Sequence, residues 1–341
     1  MRTVTIIALE TAMASSVSIT IDVLSVANRI CEAAGRPHPF AIRIEGSGAD
    51  MFRPFLTFPE STHDRADIVI VPGQLYKGAG TPFARMQDQD VCKACQIIRT
   101  AYDKGADLLS SCTGTILLAR EGLLDGRLAT AAWWLAPAMA KAFPKIRLDA
   151  ASLIATDGRI TTAGAAMAQM DLMVMTVARY AGPKVADACL RWMLLDRRQS
   201  QTPYMALDLL AASSASVSRA VAWARPRLDK PLSVNEIAGA AGQSPRTFAR
   251  RVAEATGMSP VQLLQRLRLE RAVELLESSD IPFEEISYRV GYTDTTTLRR
   301  IIRDVTGLNP RDIRARAAES RRWQSTFAPQ KPTAVAADAR S

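Results

Sequence analysis

Two hydrophobic periodicities follow each other along this chain and divide it into two parts. Up to about residue 195, short β-rich runs alternate with stretches whose apolar residues recur at helical spacing. The predicted strands are Val4–Leu9, Phe40–Ile44, Ile68–Val71 and Asp107–Ser110, and the predicted helices are Ile19–Ala34, Ala84–Asp103 and Thr115–Glu121. This alternation predicts an α/β domain, a mainly parallel sheet covered by helices on both faces. Ligands of such sheets bind at the carboxyl ends of the strands.

From about residue 217 the pattern is helical throughout, and one motif occurs twice. The two copies are offset by 49 residues up to a glycine and by 50 residues after it, so the second turn is one residue longer. The first copy comprises Glu236-Ile237-Ala238, Gly242, Ser244, Phe248, Val252 and Thr256–Pro260, and the second comprises Glu285-Ile286-Ser287, Gly291, Asp294, Leu298, Ile302 and Thr306–Pro310. This arrangement predicts an all-α domain with two helix-turn-helix motifs.

The residues of the first copy explain its geometry. Ser233 and Glu236 form an S-x-x-E capping box, which satisfies free amides at a helix start. Gly242 allows the sharp turn between two helices. Ser244 then caps a second helix, with Pro245 at its first position, where a missing N–H costs nothing. The second copy repeats this logic, with Gly291 in the turn and either Thr293 or Asp294 as the cap.

Polar side chains remain on the outer side of each second helix. Arginine binds phosphates or guanine, and threonine suits phosphates and thymine methyl groups. The residues predicted to contact DNA are Ser244, Arg246, Thr247, Arg250, Arg251, Thr295, Thr296, Arg299, Arg300 and Arg303. The alternative is a solvated basic face without a partner. A long amphipathic helix, Pro260–Ser278, joins the copies and would set the two reading helices roughly 34 Å apart, one turn of DNA.

The segment from about Val217 to Ala318, with its Arg268–Ala272 stretch, resembles the AraC/XylS-type DNA-binding domain. Charge agrees with this resemblance. The net charge is +9, and residues 217–322 hold 19 Lys and Arg against 13 Asp and Glu, while the first 216 residues hold 22 against 20. A polyanionic partner such as double-stranded promoter DNA attracts a surplus of this kind.

One predicted strand leads into Ser110–Thr115, where Cys112 lies on a strand-to-helix turn. A cysteine at a helix start would have an exposed sulfur and a depressed pKa. The chain here resembles the PfpI-type, class I glutamine amidotransferase-like fold, a flavodoxin-like parallel sheet. The residues that carry this resemblance are Asp67–Gly73, Gly122–Arg127, Thr161–Gly164 and Met170–Leu172. Together with an AraC-type domain, it indicates a known class of regulators.

Nucleophilic catalysis also requires a base and a group that orients it. In catalytic relatives of this fold a histidine follows the Gly-Arg stretch, and Ala132 stands there. The only histidines are His38 and His63. Some relatives have a glutamate in the first helix; Ser16 stands at that position here, and Asp22 follows one or two helical turns later. A ligand pocket without catalysis is therefore expected. Its predicted residues are Ser16, Gly73, Gln74, Cys112, Thr113, Ala132, Trp133 and Gly164.

Other signals leave alternatives open. Trp133 either lines the pocket or belongs to a core or dimer interface, and this second role suits Trp134 better. Cys92 and Cys95 have C-x-x-C spacing on a helical run, which fits structural cysteines better than a redox pair, and no metal or cofactor is expected. Five cysteines without framework spacing and the lack of an 18-residue apolar stretch indicate a cytoplasmic protein with no membrane contact.

The sequence as a whole predicts four segments: a ligand-sensing and dimerisation domain (1–195), a linker (196–216), an AraC-type domain (217–322) and a disordered tail (323–341). Residues 211–218 are either a hinge or a packed helix. We expect a homodimeric transcriptional regulator that senses a small effector and contacts RNA polymerase. The family resemblance implies an activator and an amino-acid-like or nitrogen-containing effector. The alternatives are a cysteine-dependent amidase or hydrolase with a DNA-binding appendage, and a regulator that needs no ligand.

Overall fold

The computed structural model describes residues 1–75, 83–196, 198 and 200–326. Met1–Val217 and Ala249–Met258 form one compact unit, and Ser218–Phe248 with the described residues from Ser259 onward form the other. No helix in the described part of the chain is both long enough and apolar enough to cross a membrane.

The first unit is built on a six-stranded sheet. Its strands are β1 (Arg2–Ile7), β2 (Phe40–Glu45), β3 (Ile68–Val71), β4 (Asp107–Ser111), β7 (Ile154–Asp157) and β8 (Ile160–Ala163); a separate parallel pair is formed by β5 (Leu128–Ala129) and β6 (Arg147–Leu148). The strand order is β2-β1-β3-β4-β8-β7, parallel except for the β7–β8 hairpin. The predicted flavodoxin-like parallel sheet is confirmed.

Helices cover both faces of this sheet. They are α1 (Ala14–Ala33), α2 (Gln89–Asp103), α3 (Thr115–Arg120), α4 (Ala136–Ala142), α5 (Ala168–Ala181) and α6 (Pro183–Trp192); a short helix, α7 (Leu207–Ala211), follows in the same unit. Alternate residues of β3 enter two separate cores: Ile68 and Ile70 pack with α1, α5 and α6, while Val69 and Val71 pack with α2 and α3. A strand buried on both faces needs a continuous apolar run, which explains why β3 was predicted with correct bounds.

Several predicted bounds were wrong. Helix α1 begins at Ala14 rather than Ile19, because Ser16 and Val17 are buried and continue the packed face. Helix α2 begins at Gln89 rather than Ala84, since the extended Asp88 stands at its N-cap. The strands β5 to β8 were not predicted. They are short, and β7 and β8 need each other as hairpin partners.

The second stretch of the chain is helical, as predicted. Its helices are α8 (Ala215–Ala224), α9 (Val234–Ala240), α10 (Pro245–Thr256), α11 (Pro260–Ser278), α12 (Phe283–Arg289), α13 (Thr295–Thr306) and α14 (Pro310–Thr326). Buried residues of α11, α12, α13 and α14 share one core, which includes Leu275, Ile286, Val290, Leu298 and Ile302. Helix α14 runs past residue 322, so the tail predicted from 323 does not begin there; residues 327–341 lie outside the described part.

Part of the predicted linker, residues 196–216, is packed within the first unit. Gln201, Leu207 and Leu210 are buried within the first unit. Met205 and Leu210 cluster with Trp133, so apolar residues of this segment complete a small core. Ala211–Ser218, left open as hinge or packed helix, comprises the end of α7, a short turn and the start of α8. We call residues 200–211 the strap.

Candidate DNA-binding surface and ligand site

Local hydrogen bonds fix the start of both reading helices. The Ser244 hydroxyl accepts from the Thr247 N–H at 3.3 Å, and the Asp294 carboxylate accepts from the N–H groups of Thr296 and Thr297 at 2.9 and 3.0 Å. Asp294 is therefore the cap of the second helix, which resolves the choice between it and Thr293. The capping box of Ser233 and Glu236 is also formed.

Both turn glycines adopt the left-handed conformation, with φ of +69° at Gly242 and +77° at Gly291. Their surroundings differ. Nothing lies within 4 Å of a Cβ added at Gly242, whereas a Cβ at Gly291 would collide with the Leu228 carbonyl oxygen and lie 2.8 Å from Arg268 Nη2. The two turns therefore share a conformation but not a packing constraint.

The predicted arginines are exposed on both reading helices: Arg246, Arg250 and Arg251 on α10, and Arg299, Arg300 and Arg303 on α13. Ser244 and Thr296 are exposed as well, while Thr247 and Thr295 are half-buried. The ten residues predicted from the sequence are thus the candidate DNA contacts.

Weak contacts hold most of these arginines. Arg250 and Arg251 lie 4.0 and 3.5 Å from Glu254 oxygens, and Arg300 lies 3.3 Å from Asp304. Exposed ion pairs within one helix contribute little stability, so phosphates can replace the carboxylates. The Arg299 guanidinium lies over the Phe283 ring, 5.0 Å from its centroid. Within the described residues, Arg246 and Arg303 have no carboxylate partner.

The strand-to-helix turn at Cys112 is strained. Cys112 has φ of +55°, one of two non-glycine residues with positive φ in the described chain. Gly73 packs closely against this turn: a Cβ there would lie 3.2 Å from Cys112 Cβ, a tight contact, and 3.7 Å from Ser16 Oγ. The elbow geometry is as the sequence predicted, and it brings Ser16, Gly73 and Cys112 together.

The expected chemistry of Cys112 was wrong. Its side chain is buried rather than exposed, and burial raises the pKa of the thiol above its ordinary value. Hydrogen bonds from Thr113 and from the Ala166 backbone favour the thiolate but offset only part of that effect. Desolvation exceeds the influence of a helix start here, so the neutral thiol is favoured.

Hydrogen bonds join several of the other predicted pocket residues. Thr113 Oγ1 accepts from the Gln74 N–H at 2.6 Å and donates to the Gln74 carbonyl at 2.7 Å. The Cys112 N–H donates to the Gly164 carbonyl at 2.8 Å. Ser16 Oγ is buried without a hydrogen-bond partner in the described structure. Six of the eight predicted pocket residues, all but Ala132 and Trp133, thus meet around the elbow.

Ala132 and Trp133 pack in different clusters. Ala132 is fully buried in the core cluster that also contains Cys112, whereas Trp133 packs against Met205 and Leu210 of the strap and is 8% exposed. Trp134 is 45% exposed and lies outside this cluster. The core role left open for Trp133 is therefore its role in this conformation.

Sequence reasoning missed Gln201, the most enclosed polar residue of the strap. Its Oε1 accepts from the Ala165 N–H at 3.2 Å. Its Nε2 lies within hydrogen-bond distance of four oxygens: Thr130 Oγ1 (3.3 Å), Ala131 O (2.9 Å), Ala150 O (2.7 Å) and Ser152 O (3.2 Å). We call these four oxygens the oxygen cage. No sequence motif marks it, because three of its members are main-chain carbonyls.

The other candidate groups lie elsewhere. The His38 ring packs edge-on against Phe58, and its Nε2 lies 3.6 Å from Glu32 Oε1. Asp22 is exposed on α1. Cys92 and Cys95 lie on α2 and are free thiols, and the Arg120 guanidinium donates to Cys92 Sγ at 3.2 Å. The described residues contain no cluster of side chains that could hold a metal ion.

Comparison with known proteins matches each half of the chain to a family. Residues 2–179 match the DJ-1/PfpI family, and residues 230–316 match a helix-turn-helix domain family. The first match covers more than half of the chain and includes every residue of the predicted pocket.

The similar curated proteins are bacterial regulators. The chain is 28% identical to the HTH-type transcriptional regulator GbdR of Pseudomonas aeruginosa over 214 residues, which are 62% of this chain and 58% of GbdR. It is 26% identical to GlxA of Rhizobium meliloti over 60% of this chain and 64% of GlxA. With ArgR of P. aeruginosa it shares 24% identity over 90% of this chain and 93% of ArgR. This chain belongs to the DJ-1/PfpI family and carries an AraC-type helix-turn-helix domain after its family domain.

Proposed function

We propose that this protein is a transcriptional regulator that binds promoter DNA through α10 and α13 and senses a small effector in its first unit. The observation that carries the proposal is the pair of capped helices, each preceded by a left-handed glycine and each presenting exposed arginines. Reading helices of helix-turn-helix proteins insert into the major groove with such side chains at the base edges. The names of GbdR, GlxA and ArgR support the same role.

The finer parts of the proposal rest on the family resemblance and the regulatory relatives. We propose a cytoplasmic homodimer that activates transcription, contacts RNA polymerase and binds an amino-acid-like or nitrogen-containing effector. A dimer carries four reading helices, so its operator should contain two half-sites, each spanning two neighbouring major-groove segments.

A cysteine-dependent amidase or hydrolase is the second candidate. The strained φ of Cys112 favours it, because strain of this kind concentrates at active sites. Its burial and raised pKa weigh against it, and among the described residues no histidine or carboxylate is hydrogen-bonded to its sulfur. Release of ammonia from glutamine that disappears in Cys112→Ala would establish this enzyme activity.

The test of DNA binding starts with sequencing of genomic fragments captured by the purified full chain. Enrichment of a few promoters with a repeated half-site is expected. Arg250→Ala and Arg299→Ala should each weaken binding to such a fragment by about 1–3 kcal/mol, roughly 5- to 150-fold in Kd. Arg29→Ala, which removes an exposed charge from α1, is the matched control. Unchanged affinity of both variants at physiological salt would contradict the proposed contacts.

A further inference from the structure

The strap inserts a carboxamide into the first unit. Gln201 is only 2% exposed, although it belongs to a segment that the sequence predicts as a linker. The strap is fastened beside it by the Gln201 N–H, which donates to the Ala151 carbonyl, and by Ser200 Oγ, which donates to the same oxygen at 2.9 Å. A buried glutamine must satisfy both ends of its amide, and here the protein supplies a partner for each end.

The oxygen cage offers more acceptors than a carboxamide can use. An amide nitrogen has two hydrogens, and four oxygens surround it within 3.3 Å. An ammonium group has three hydrogens and a positive charge, so it would use one more of these oxygens and bond more strongly to each. The cage therefore suits a nitrogen donor in general and does not require a glutamine.

The surrounding residues hold this cage in shape. The Asp149 carboxylate accepts from the N–H groups of Ala151 and Ser152, which fixes the turn that provides two cage oxygens. Thr130 Oγ1 donates to the Ser152 carbonyl at 2.8 Å, so its own oxygen is free to accept from Gln201. The cage is thus preorganised by bonds that do not involve Gln201.

The cage adjoins the cysteine elbow. Gly164 connects them: its carbonyl accepts from the Cys112 N–H, and a Cβ at Gly164 would overlap the Gln201 carboxamide, lying 2.7 Å from its Cδ. The neighbouring Ala165 N–H donates to Gln201 Oε1, and the Ala166 backbone hydrogen-bonds Cys112. One short turn therefore connects Gln201 to the predicted ligand pocket.

We infer that the oxygen cage is a binding site for the nitrogen end of the effector, a primary ammonium or carboxamide group, and that Gln201 occupies it in the unliganded protein. An effector that enters the cage displaces Gln201 and frees the strap, which a short turn connects along the chain to α8. The inference rests on the proposed effector-sensing role of the first unit and names the ligand chemistry of that site.

The test compares Gln201→Ala, which empties the cage, with Gln201→Met, which fills a similar volume without an amide. Gln96→Ala, at an exposed position of α2, is the control. Acetamide and methylammonium chloride are the probes, with sodium chloride at equal ionic strength as the reference. Thermal unfolding of the full chain reports binding, and deuterium uptake of peptides from residues 200–211 reports release of the strap.

At least one probe should raise the Tm of Gln201→Ala at a concentration about tenfold lower than the wild type requires, because a probe must displace Gln201 from the wild type. Gln201→Met should not respond, and the strap of Gln201→Ala should exchange faster than that of Gln96→Ala. Equal responses of Gln201→Ala and Gln201→Met, or no response of either, would overturn the inference and leave Gln201 a structural residue. Promoter binding is measured separately on the same proteins, so failure of the regulatory function is distinguishable.

Discussion

The two turn glycines, which are equivalent in the sequence, should respond very differently to substitution. Alanine at either position must adopt positive φ, which costs about 1–2 kcal/mol. At Gly242 nothing else opposes it, since no atom lies within 4 Å of the new Cβ. At Gly291 the Cβ meets the Leu228 carbonyl, and backbone cannot yield as a flexible side chain can, so overpacking adds about 1–3 kcal/mol. Gly291→Ala should therefore be the more destabilising by about that amount.

Native-state hydrogen exchange of the full chain, read by mass spectrometry, measures this difference locally. Amides of α12 and α13 report on Gly291, and amides of α9 and α10 report on Gly242. The gain from a stiffer unfolded chain is the same for both alanines and cancels in the comparison.

Asparagine separates the two causes. It tolerates positive φ but carries a Cβ, so Gly242→Asn should be milder than Gly242→Ala, whereas Gly291→Asn should remain costly. Equal destabilisation by the two alanines, or a harmless Gly291→Asn, would refute the argument from packing.

Two further predictions concern titratable groups. Hydrogen bonds from Thr297 and Thr296 hold the pKa of Asp294 below its ordinary value. The stabilisation of α13 by Asp294 is therefore complete above the unfolded-state pKa and is lost as the pH falls through the folded-state pKa. Hydrogen exchange of α13 amides, measured across an acid titration, should show this loss, and Asp294→Asn, which caps the helix without titrating, should remove the pH dependence. The buried Cys112 thiol has a raised pKa, so in the native protein iodoacetamide at mildly alkaline pH should modify Cys112 more slowly than the half-buried Cys92. In denaturant the two cysteines should be labelled equally fast. Faster labelling of Cys112 in the native protein would contradict its burial.

The parts of the structure that the sequence predicted correctly depend on neighbours in the chain. The caps at Ser233, Ser244 and Asp294 form between residues two or three positions apart. The amphipathic pattern of Pro260–Ser278 predicted that helix with its observed bounds, and its start carries a capping box and a proline. The continuous apolar run of β3 likewise predicts a strand from local sequence alone, since a strand buried on both faces has no alternation of polar and apolar residues. Motif identity and fold class were therefore determined locally.

What remained depends on contacts between distant residues. The position of Cys112 at a helix start suggests a lowered thiol pKa, but burial raises that pKa instead. No pattern of neighbouring residues in the sequence shows that a side chain will be desolvated. The strap was predicted as part of a linker, although most of its residues are apolar. Trp133 and the main-chain carbonyls near residues 131 and 150 give it a place to pack, and these contacts join residues far apart in the chain. Likewise, the difference between Gly242 and Gly291 arises from Leu228 and Arg268, which lie 63 and 23 positions away from Gly291. Main-chain carbonyls occur at every position, so a site made from them takes its specificity from tertiary structure alone.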